Sequence, residues 1–494
     1  MEVIFRQYGI LILMTLRSAR HRQTLLSMRT ALIAPWSIAI ILSGCVHYVP
    51  APISVPAVVS AIDAVSLDRP DVNERLSELG LRDAPARKNL DRLALHASAA
   101  VLNPTLAKVR ASARAAAASA RAARVRPGPT LTLTAEYSAA AGGVSPWLVG
   151  IASDFLLDFG QRREGRILAA DDATRLATYD YADQLWAVRM QLRQSLAEHL
   201  MAKHEYTIAQ QLTQLRARQF EATRARLREG EAARPELERV RADAAMDRQR
   251  LAATEARIQM AAVSLADALG VSPQMLADRS MVWPDVGDPK PIDRARLKDL
   301  RDPALLSRVD VLRAVLNYDL AESVLKTSVA AQYPEVRLGP GYLWERGVSK
   351  HPFTLGLVLP PMDLNESAIA AAEAARTAAG RHLEAVIATA MSGISAADSE
   401  YRAAWSALAL IRDESLPTAR ALAAQAEREL AAGSINRVDW VASQIGLVSS
   451  ALDEVAAVRR VRAAEAALED ALRCPLNGPE LAASRPGNWL GESW

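Results

Sequence analysis

The sequence predicts a mainly α-helical protein with a small β part, built from two copies of one structural unit. Half of its 494 residues are hydrophobic, yet only 5% are aromatic. An alanine-rich composition of this kind favours long helices that approach each other closely on small side chains. The segment 230–269 also aligns without a gap onto 433–472, which indicates an internal repeat.

The order of the surrounding segments supports that repeat. Asn103-Pro104 before the first β segment is echoed by Asp302-Pro303 before the second. Each half therefore reads as helix, hairpin, very long helix, glycine-marked turn and returning helix. The aligned positions include Gly230 with Gly433, Arg234 with Arg437, and the run Asp267-Ala-Leu269 with Asp470-Ala-Leu472.

The N-terminus has the layout of an export signal. A short apolar stretch follows Met28-Arg29 and ends in Leu42-Ser43-Gly44-Cys45, an arrangement too short for a spanning helix. We interpret 1–44 as a signal peptide, with 1–27 an over-long start, and Cys45 as a lipidation site. The alternative is a chance cysteine in an apolar leader.

Removal of 1–44 also changes the charge balance of the chain. That segment holds five of the 59 basic residues and one of the 56 acidic ones. The remainder is close to neutral, so we expect no nucleic-acid partner. With Cys45 carrying lipid, Cys474 is the one remaining cysteine, and we expect a small buried filler near a helix end.

Two segments alternate with the period of a β-strand and predict hairpins at about 129–158 and 334–361. Each strand is about nine to eleven residues long, enough to cross a bilayer when tilted. Trp147, Tyr342 and Trp344 lie near strand ends, where membrane-interface aromatics are expected. Four strands cannot close a barrel, so strands in lipid would require several chains to share one. The alternative is two exposed hairpins on a soluble helical protein.

Long helices are predicted at about 161–269 and 366–472, each folded back at a glycine, Gly230 or Gly433. A helix of about 67 residues spans on the order of 100 Å. The predicted organisation is an extended tether at 45–67, a first repeat at 68–275, a linker at 276–300, a second repeat at 301–474 and a loop-like tail at 475–494.

This order of elements resembles the TolC-like outer-membrane efflux proteins, over about residues 68–474. The stretches that carry the resemblance are Leu102-Asn-Pro-Thr-Leu106, Leu157-Asp-Phe-Gly-Gln-Arg-Arg163, Tyr333-Pro-Glu-Val-Arg-Leu338 and Phe353-Thr-Leu-Gly-Leu-Val-Leu-Pro-Pro-Met-Asp-Leu-Asn365. The last of these, with the short hairpins, is most similar to the heavy-metal-efflux (CzcC-like) branch. The glycine stretch that usually follows the second hairpin is Glu366-Ser367 here, which leaves the subfamily open.

The resemblance implies a homotrimer whose twelve strands form one outer-membrane β-barrel, continued by a long α-helical tunnel in the periplasm. It implies a passive conduit in a tripartite efflux system, joined to a periplasmic adaptor (membrane fusion) protein and an inner-membrane pump of the resistance-nodulation-division type. Metal ions or drugs would be exported. The alternatives are a lipoprotein scaffold without transport and an exit duct for type I protein secretion.

The resemblance also implies roles for the two glycine-marked turns. Their acids six residues after each glycine, Glu236 and Asp439, would lie near the periplasmic aperture, where a ring of carboxylates favours cations. The alternative is that both acids simply complement a helix N-terminus. The second acid of some family members is Ala442 here. The expected adaptor-contacting residues are Glu229, Gly230, Glu231 and Ala232 at the first turn, and Gly433, Ser434 and Ile435 at the second.

Motifs for catalysis are not found in the sequence. It shows no phosphate-binding glycine loop, zinc-ligand cluster or G-x-S-x-G motif. His199 and His204 lie five residues apart, so they do not share a helix face and are expected to be packed or solvated. We therefore expect no enzyme, no cofactor and no bound metal.

Overall fold

The computed structural model describes residues 48–78, 89–126, 128–139, 142–143, 145–157, 162–345 and 347–483. The chain divides into two compact units, 1–61 and 62–494. Cys45 and the predicted signal peptide lie outside the described residues.

The described part of the chain is mostly helical. Its helices are α1 (Val55–Asp63), α2 (Pro70–Glu78), α3 (Arg92–Leu102), α4 (Pro104–Ala123), α5 (Arg162–Arg228), α6 (Arg234–Leu269), α7 (Gln274–Ala277), α8 (Arg294–Ser307), α9 (Val309–Ala330), α10 (Glu366–Leu410), a π-helix (Ile411–Ser415), α11 (Leu416–Ala431), α12 (Arg437–Leu472) and α13 (Glu480–Ala483). Its strands are β1 (Asn89–Leu90), β2 (Thr130–Tyr137), β3 (Trp147–Leu157), β4 (Ser280–Met281), β5 (Glu335–Glu345), β6 (Val348–Lys350) and β7 (Phe353–Val358).

The segment expected to be an extended tether contains the helix α1, so that prediction was wrong over Val55–Asp63. Pro56 does not prevent the helix because it occupies the second helical position, where a missing N–H leaves no intrahelical bond unmade. None of the α1 residues is buried.

The start of α4 confirms the predicted cap. Asn103 Oδ1 accepts hydrogen bonds from the backbone N–H groups of Thr105 at 2.9 Å and Leu106 at 3.1 Å, and Pro104 is the first helical residue. The matching pair in the second repeat, Asp302-Pro303, does not start a helix. Pro303 lies inside α8, and the next helix, α9, begins at Val309.

The two predicted hairpins join into one antiparallel sheet. The strand order is β2-β3-β5, and β5 then pairs with both β6 and β7. The last strand is divided at Pro352, whose carbonyl accepts a hydrogen bond from Gly341 N–H at 2.8 Å. Gly339 and Gly341 do not interrupt β5. A Cβ on either would lie 3.2 Å from a carbonyl oxygen of β3, so glycine permits the close strand packing.

The helix α5 runs for 67 residues without interruption. The second long helix was also predicted to be continuous, and that was wrong. It is divided into α10, the π-helix and α11. Pro417, the second residue of α11, explains the position of the break, because proline has no N–H to donate and its ring displaces the preceding turn.

The turns at Gly230 and Gly433 confirm the predicted glycine-marked reversals. Their φ angles are +77° and +75°, values that glycine adopts without a Cβ penalty. Both turns have the same hydrogen bonds. Gly230 N–H donates to Leu227 at 3.2 Å and Gly433 N–H to Leu430 at 3.1 Å, and the residue after each glycine donates further back, at 2.8 Å and 2.9 Å. This pattern is a Schellman motif.

The buried apolar residues form three clusters. The first joins α3 to the middle of α5 and the end of α6, with Leu95, Leu196 and Leu265 fully buried. The second joins α10 to α12. The third lies between α5 and the first half of α12, around Leu212 and Ile445. The linker is fixed to this core, because β4 pairs in parallel with β1 and Trp283 belongs to the first cluster.

Candidate functional site

Arg226, near the end of α5, makes the main side-chain contacts at the Gly230 turn, which connects α5 to α6. Its guanidinium lies 3.5 Å from Glu236 Oε1 and 4.0 Å from Glu231 Oε2, and it donates a hydrogen bond to the Glu231 carbonyl at 3.1 Å. Glu229, Gly230 and Glu231 are exposed, and Ala232 is half-buried. The predicted contact residues are therefore accessible, but the charge of Glu236 is compensated within the same chain.

The Gly433 turn, which connects α11 to α12, has a side-chain cap in place of ion pairs. The Asn436 side chain caps α12 by accepting from Val438 N–H at 2.8 Å and Asp439 N–H at 3.0 Å. Asp439 is exposed and makes no ion pair with any residue that the structure describes. Gly433 and Ser434 are exposed, and Ile435 is half-buried.

A groove of about 810 Å³ runs along α11 and α12 beside this turn. Ala442, one helical turn after Asp439, lines the same groove, so that position of α12 carries no carboxylate, but Glu414 and Glu429 line the groove together with Asp439. The other groove residues are mainly small or apolar. They include Ala419, Leu422, Ala426, Ile435, Ser443, Gly446 and Leu447.

One face of the β-sheet is apolar and is not covered by any of the described residues. The register places Leu133 opposite Ile151, and Ile151 opposite Tyr342. In the next row, Val149 lies opposite Trp344. Leu133 is 74% exposed. The predicted interface aromatics Tyr342 and Trp344 therefore belong to this apolar face.

Trp147 begins β3 and is about half exposed. Its ring packs edge-on against Tyr137, with the ring centroids 5.0 Å apart. The strand pairing brings Trp147, Trp344 and this tyrosine to the same end of the sheet. Trp147, Tyr342 and Trp344, the three aromatic residues predicted from the sequence, are thus near one another. The sequence predicted only that each lies near the end of a strand.

Sequence reasoning missed a group of charged side chains inside the protein, here called the buried ionic cluster. Its members are at most 7% exposed. Glu469 accepts a hydrogen bond from Arg189 at 3.3 Å and forms an ion pair with Arg193 at 3.1 Å. Glu465 lies 3.1 Å from Arg193 and 2.9 Å from Arg462. The full set is Arg92, Arg189, Arg193, Arg462, Glu465, Glu469 and Glu480.

The residues after α12 complete this cluster. Within the predicted loop-like tail at 475–494, residues 475–479 form no helix or strand, whereas Glu480–Ala483 form the short helix α13. Leu476 is 1% exposed, and its N–H donates to Glu469 at 2.7 Å. Glu480, 2% exposed, lies 3.5 Å from Arg92. Trp283 of the linker packs under three of the arginines, with Arg92 4.3 Å from its ring centroid.

The histidines agree with the packed or solvated interpretation. His199 is buried and His204 is exposed, and burial lowers the pKa of His199. Burial lowers the pKa of His96, on α3, to about 3. Among the described residues, no group of three or more His, Cys, Asp or Glu side chains is placed to hold a metal ion. Cys474 packs at the edge of the second apolar cluster, and burial raises the pKa of its thiol to about 11.

The comparison with protein families agrees with this architecture. The model of the outer membrane efflux protein family matches residues 95–271 and 300–472. The two matched segments correspond to the two repeats and together cover more than half of the chain. The protein therefore belongs to the outer membrane efflux protein family.

Solved structures of similar fold are outer-membrane channels. The OprN channel superposes with a TM-score of 0.65 at 18% identity, covering 88% of this chain and 99% of that one. VceC from Vibrio cholerae gives 0.62 at 17%, covering 78% and 97%. CmeC from Campylobacter jejuni gives 0.63 at 13%, covering 87% and 93%. No curated protein matches the sequence.

Proposed function

We propose that the protein is the outer-membrane channel of a tripartite efflux system, a passive conduit through which small toxic solutes such as metal ions or drugs leave the cell. Family membership supports the general class. The observation that carries the proposal is the open β-sheet with an uncovered apolar face, joined directly to helices far longer than a globular core requires.

A trimer would pair the free strand edges of the open sheet. In hydrocarbon each unpaired strand edge leaves backbone groups without hydrogen bonds, at several kcal/mol per group. Within the described residues, β2 pairs only with β3, and β7 only with β5. Three copies, each supplying four strands, would pair these edges in one twelve-stranded barrel. Leu133, Ile151 and Tyr342 would then face outer-membrane lipid.

The helices would continue the barrel as a tunnel in the periplasm. The α5 helix alone, at 67 residues, is on the order of 100 Å long. The turns at Gly230 and Gly433 would meet a periplasmic adaptor, which connects the duct to an inner-membrane pump, of the resistance-nodulation-division type. Their exposed residues and rigid Schellman geometry suit a docking surface.

Glu236 and Asp439 would stand near the aperture of the tunnel. Asp439 is the stronger candidate because its carboxylate is exposed and unpaired among the described residues, whereas Arg226 compensates Glu236. Cys45 would carry the lipid that anchors the N-terminus in the outer membrane. No enzymatic step is part of this function.

Labelling of intact cells tests the membrane topology. Cysteines at Ser145 and Val348, near the two hairpin ends, should react with a membrane-impermeant maleimide added outside, in a Cys474→Ser background. Ser145 is preferable to Gly143, whose φ of +80° would strain a cysteine. The matched control is Ser434→Cys in the Gly433 turn, which should react only after the outer membrane is permeabilised. Protection of all three positions in intact cells would favour a periplasmic scaffold and refute the channel.

The lipid anchor has a separate test. Cys45→Ala should abolish incorporation of radioactive palmitate, whereas Cys474→Ala should leave it unchanged. Incorporation that persists in Cys45→Ala would refute the lipidation site without affecting the channel proposal.

A further inference from the structure

A separate groove of about 570 Å³ lies where α8 meets α10 and the end of α12, and is here called the α8 groove. Its floor is apolar, with Ile292 and Leu297 on one side and Leu468 and Leu472 of α12 on the other. Pockets that bind small molecules have volumes of about 300–1,000 Å³ and an apolar lining with a few polar groups. The α8 groove has the size and the floor of such a pocket.

Two aromatic side chains of α10 extend this floor. Tyr401 is 5% exposed, and its hydroxyl oxygen accepts a hydrogen bond from the Ile292 N–H at 2.9 Å. Trp405 packs edge-on against it, with the ring centroids 6.3 Å apart. Because both rings are held by packing, they offer a preformed surface against which an apolar or aromatic body can lie.

The wall formed by α8 is cationic. Arg294, Lys298 and Arg301 line the groove, and their spacing of four and three residues places them on one face of the helix. All three are exposed, and none makes an ion pair with any residue that the structure describes. A carboxylate or phosphate would therefore find charge-assisted hydrogen bonds there, including the paired donors of a guanidinium group.

The opposite wall, formed by α10, does not neutralise these cations. Its one carboxylate in the groove, Asp398, lies 2.8 Å from Arg402, which also lines the groove. Ser399 is exposed beside this pair, and its hydroxyl donates to the Ser395 carbonyl at 2.9 Å. Among the lining residues, four cationic side chains thus face a single acid. Such a groove repels cations and attracts anions.

We propose that the α8 groove binds an organic anion, with an apolar body against Tyr401 and Trp405 and a carboxylate or phosphate on the cations of α8. The apolar floor selects against a small inorganic anion, and the cationic wall selects against a neutral hydrophobic molecule. The inference does not depend on the proposed transport function, because the groove is formed within one chain.

Protection of a cysteine in the groove tests this proposal on the purified full-length protein, with 2-naphthoate as the probe. In a Cys474→Ser background, Ser399→Cys should react with a maleimide, and 2-naphthoate should slow that reaction in a saturable manner. The neutral 2-naphthamide and an equal concentration of acetate should not. Equal slowing by either compound would overturn the proposal, since it would show that the charge or the apolar body is not recognised.

Removal of the cations tests the wall. Arg294→Gln with Lys298→Gln should weaken protection by 2-naphthoate at least about tenfold, since each lost charge-assisted hydrogen bond accounts for that factor or more. The ratio of rates with and without 2-naphthoate is compared within each variant, which cancels any change in the reactivity of the thiol.

The matched control is Arg296→Gln. It removes an exposed arginine of the same helix that does not line the groove and has no ion pair with any described residue. Its protection should equal that of the parent protein. Equal protection in the double variant would overturn the assignment of the cations. A cysteine at Ser399 that does not react at all would also overturn the proposal, because it would show that a neighbouring copy fills the groove.

Discussion

Glu469 is the centre of the buried ionic cluster and is the most informative residue to change. It is 0% exposed, it accepts hydrogen bonds from Arg189 and the Leu476 N–H, and it forms an ion pair with Arg193 at 3.1 Å. Glu469→Gln preserves the size and one acceptor oxygen but removes the charge. Two buried guanidinium groups would then lose their shared counter-charge.

The expected cost follows from the asymmetry of buried ion pairs. Replacing both partners with apolar groups is often harmless, but removing one partner typically costs about 3–5 kcal/mol because a buried charge is left uncompensated. Glutamine still accepts one hydrogen bond, so we expect a loss at the lower end, about 3 kcal/mol. The segment from Leu476 to Glu480 should also loosen, because its first hydrogen bond to the cluster weakens.

Urea-induced loss of helical circular dichroism measures this change in the free energy of unfolding. The control is Glu400→Gln, which breaks the exposed 2.9 Å pair with Arg460 and should leave the unfolding midpoint unchanged. The double variant Arg189→Met with Glu469→Gln should be less destabilised than the two single changes together, since it removes a stranded cation. A loss below about 1 kcal/mol for Glu469→Gln would refute the reasoning, because it would mean that solvent or a neighbouring acid replaces the charge.

Three further predictions concern single positions. Burial holds the pKa of His96 at about 3, below its ordinary value of 6.5, so the unfolded chain takes up the proton first and stability is lost as pH falls below 6.5. Between pH 7 and pH 5 the free energy of unfolding should decrease by about 2 kcal/mol, and His96→Gln should flatten that dependence in urea titrations. Asn103→Ala removes the α4 cap and should cost about 1–2 kcal/mol in the same assay, whereas an unchanged midpoint would show that the cap is dispensable. In planar bilayers, Asp439→Asn should reduce cation preference more than Glu236→Gln, because Arg226 already compensates Glu236, and equal effects would contradict the assigned pairing.

The features that sequence predicted are those that depend on neighbouring residues. Asn103 followed by Pro104 specifies a helix start because the cap and the first turn need only local groups. Gly230 and Gly433 specify the reversals because a left-handed residue there needs no Cβ. The strand alternation likewise located β2, β3 and β5. Each of these signals is complete within a few residues of the chain.

The features that sequence missed depend on residues far apart. Arg189 and Glu469 meet across 280 positions, and no local pattern specifies that contact. A partial signal existed. Arg189 with Arg193, and Glu465 with Glu469, are pairs spaced by four residues in helices rich in apolar side chains, so each pair lies on one helix face. Pro417 marked a possible interruption, but the local sequence does not specify that the interruption is a π-turn.

The two helical hairpins of the repeat have diverged in their contacts. The first combines an uninterrupted helix with ion pairs between its arms, among them Arg216 with Asp247 at 2.8 Å and Arg226 with Glu236 at 3.5 Å. The second has a π-turn, an ion pair between its arms, Arg412 with Glu454 at 2.8 Å, and an Asp439 without an ion pair among the described residues. In the proposed trimer the two kinds of hairpin would alternate around the tunnel. An adaptor would then meet three turns whose acid, Glu236, is compensated by Arg226 and three whose acid, Asp439, is not.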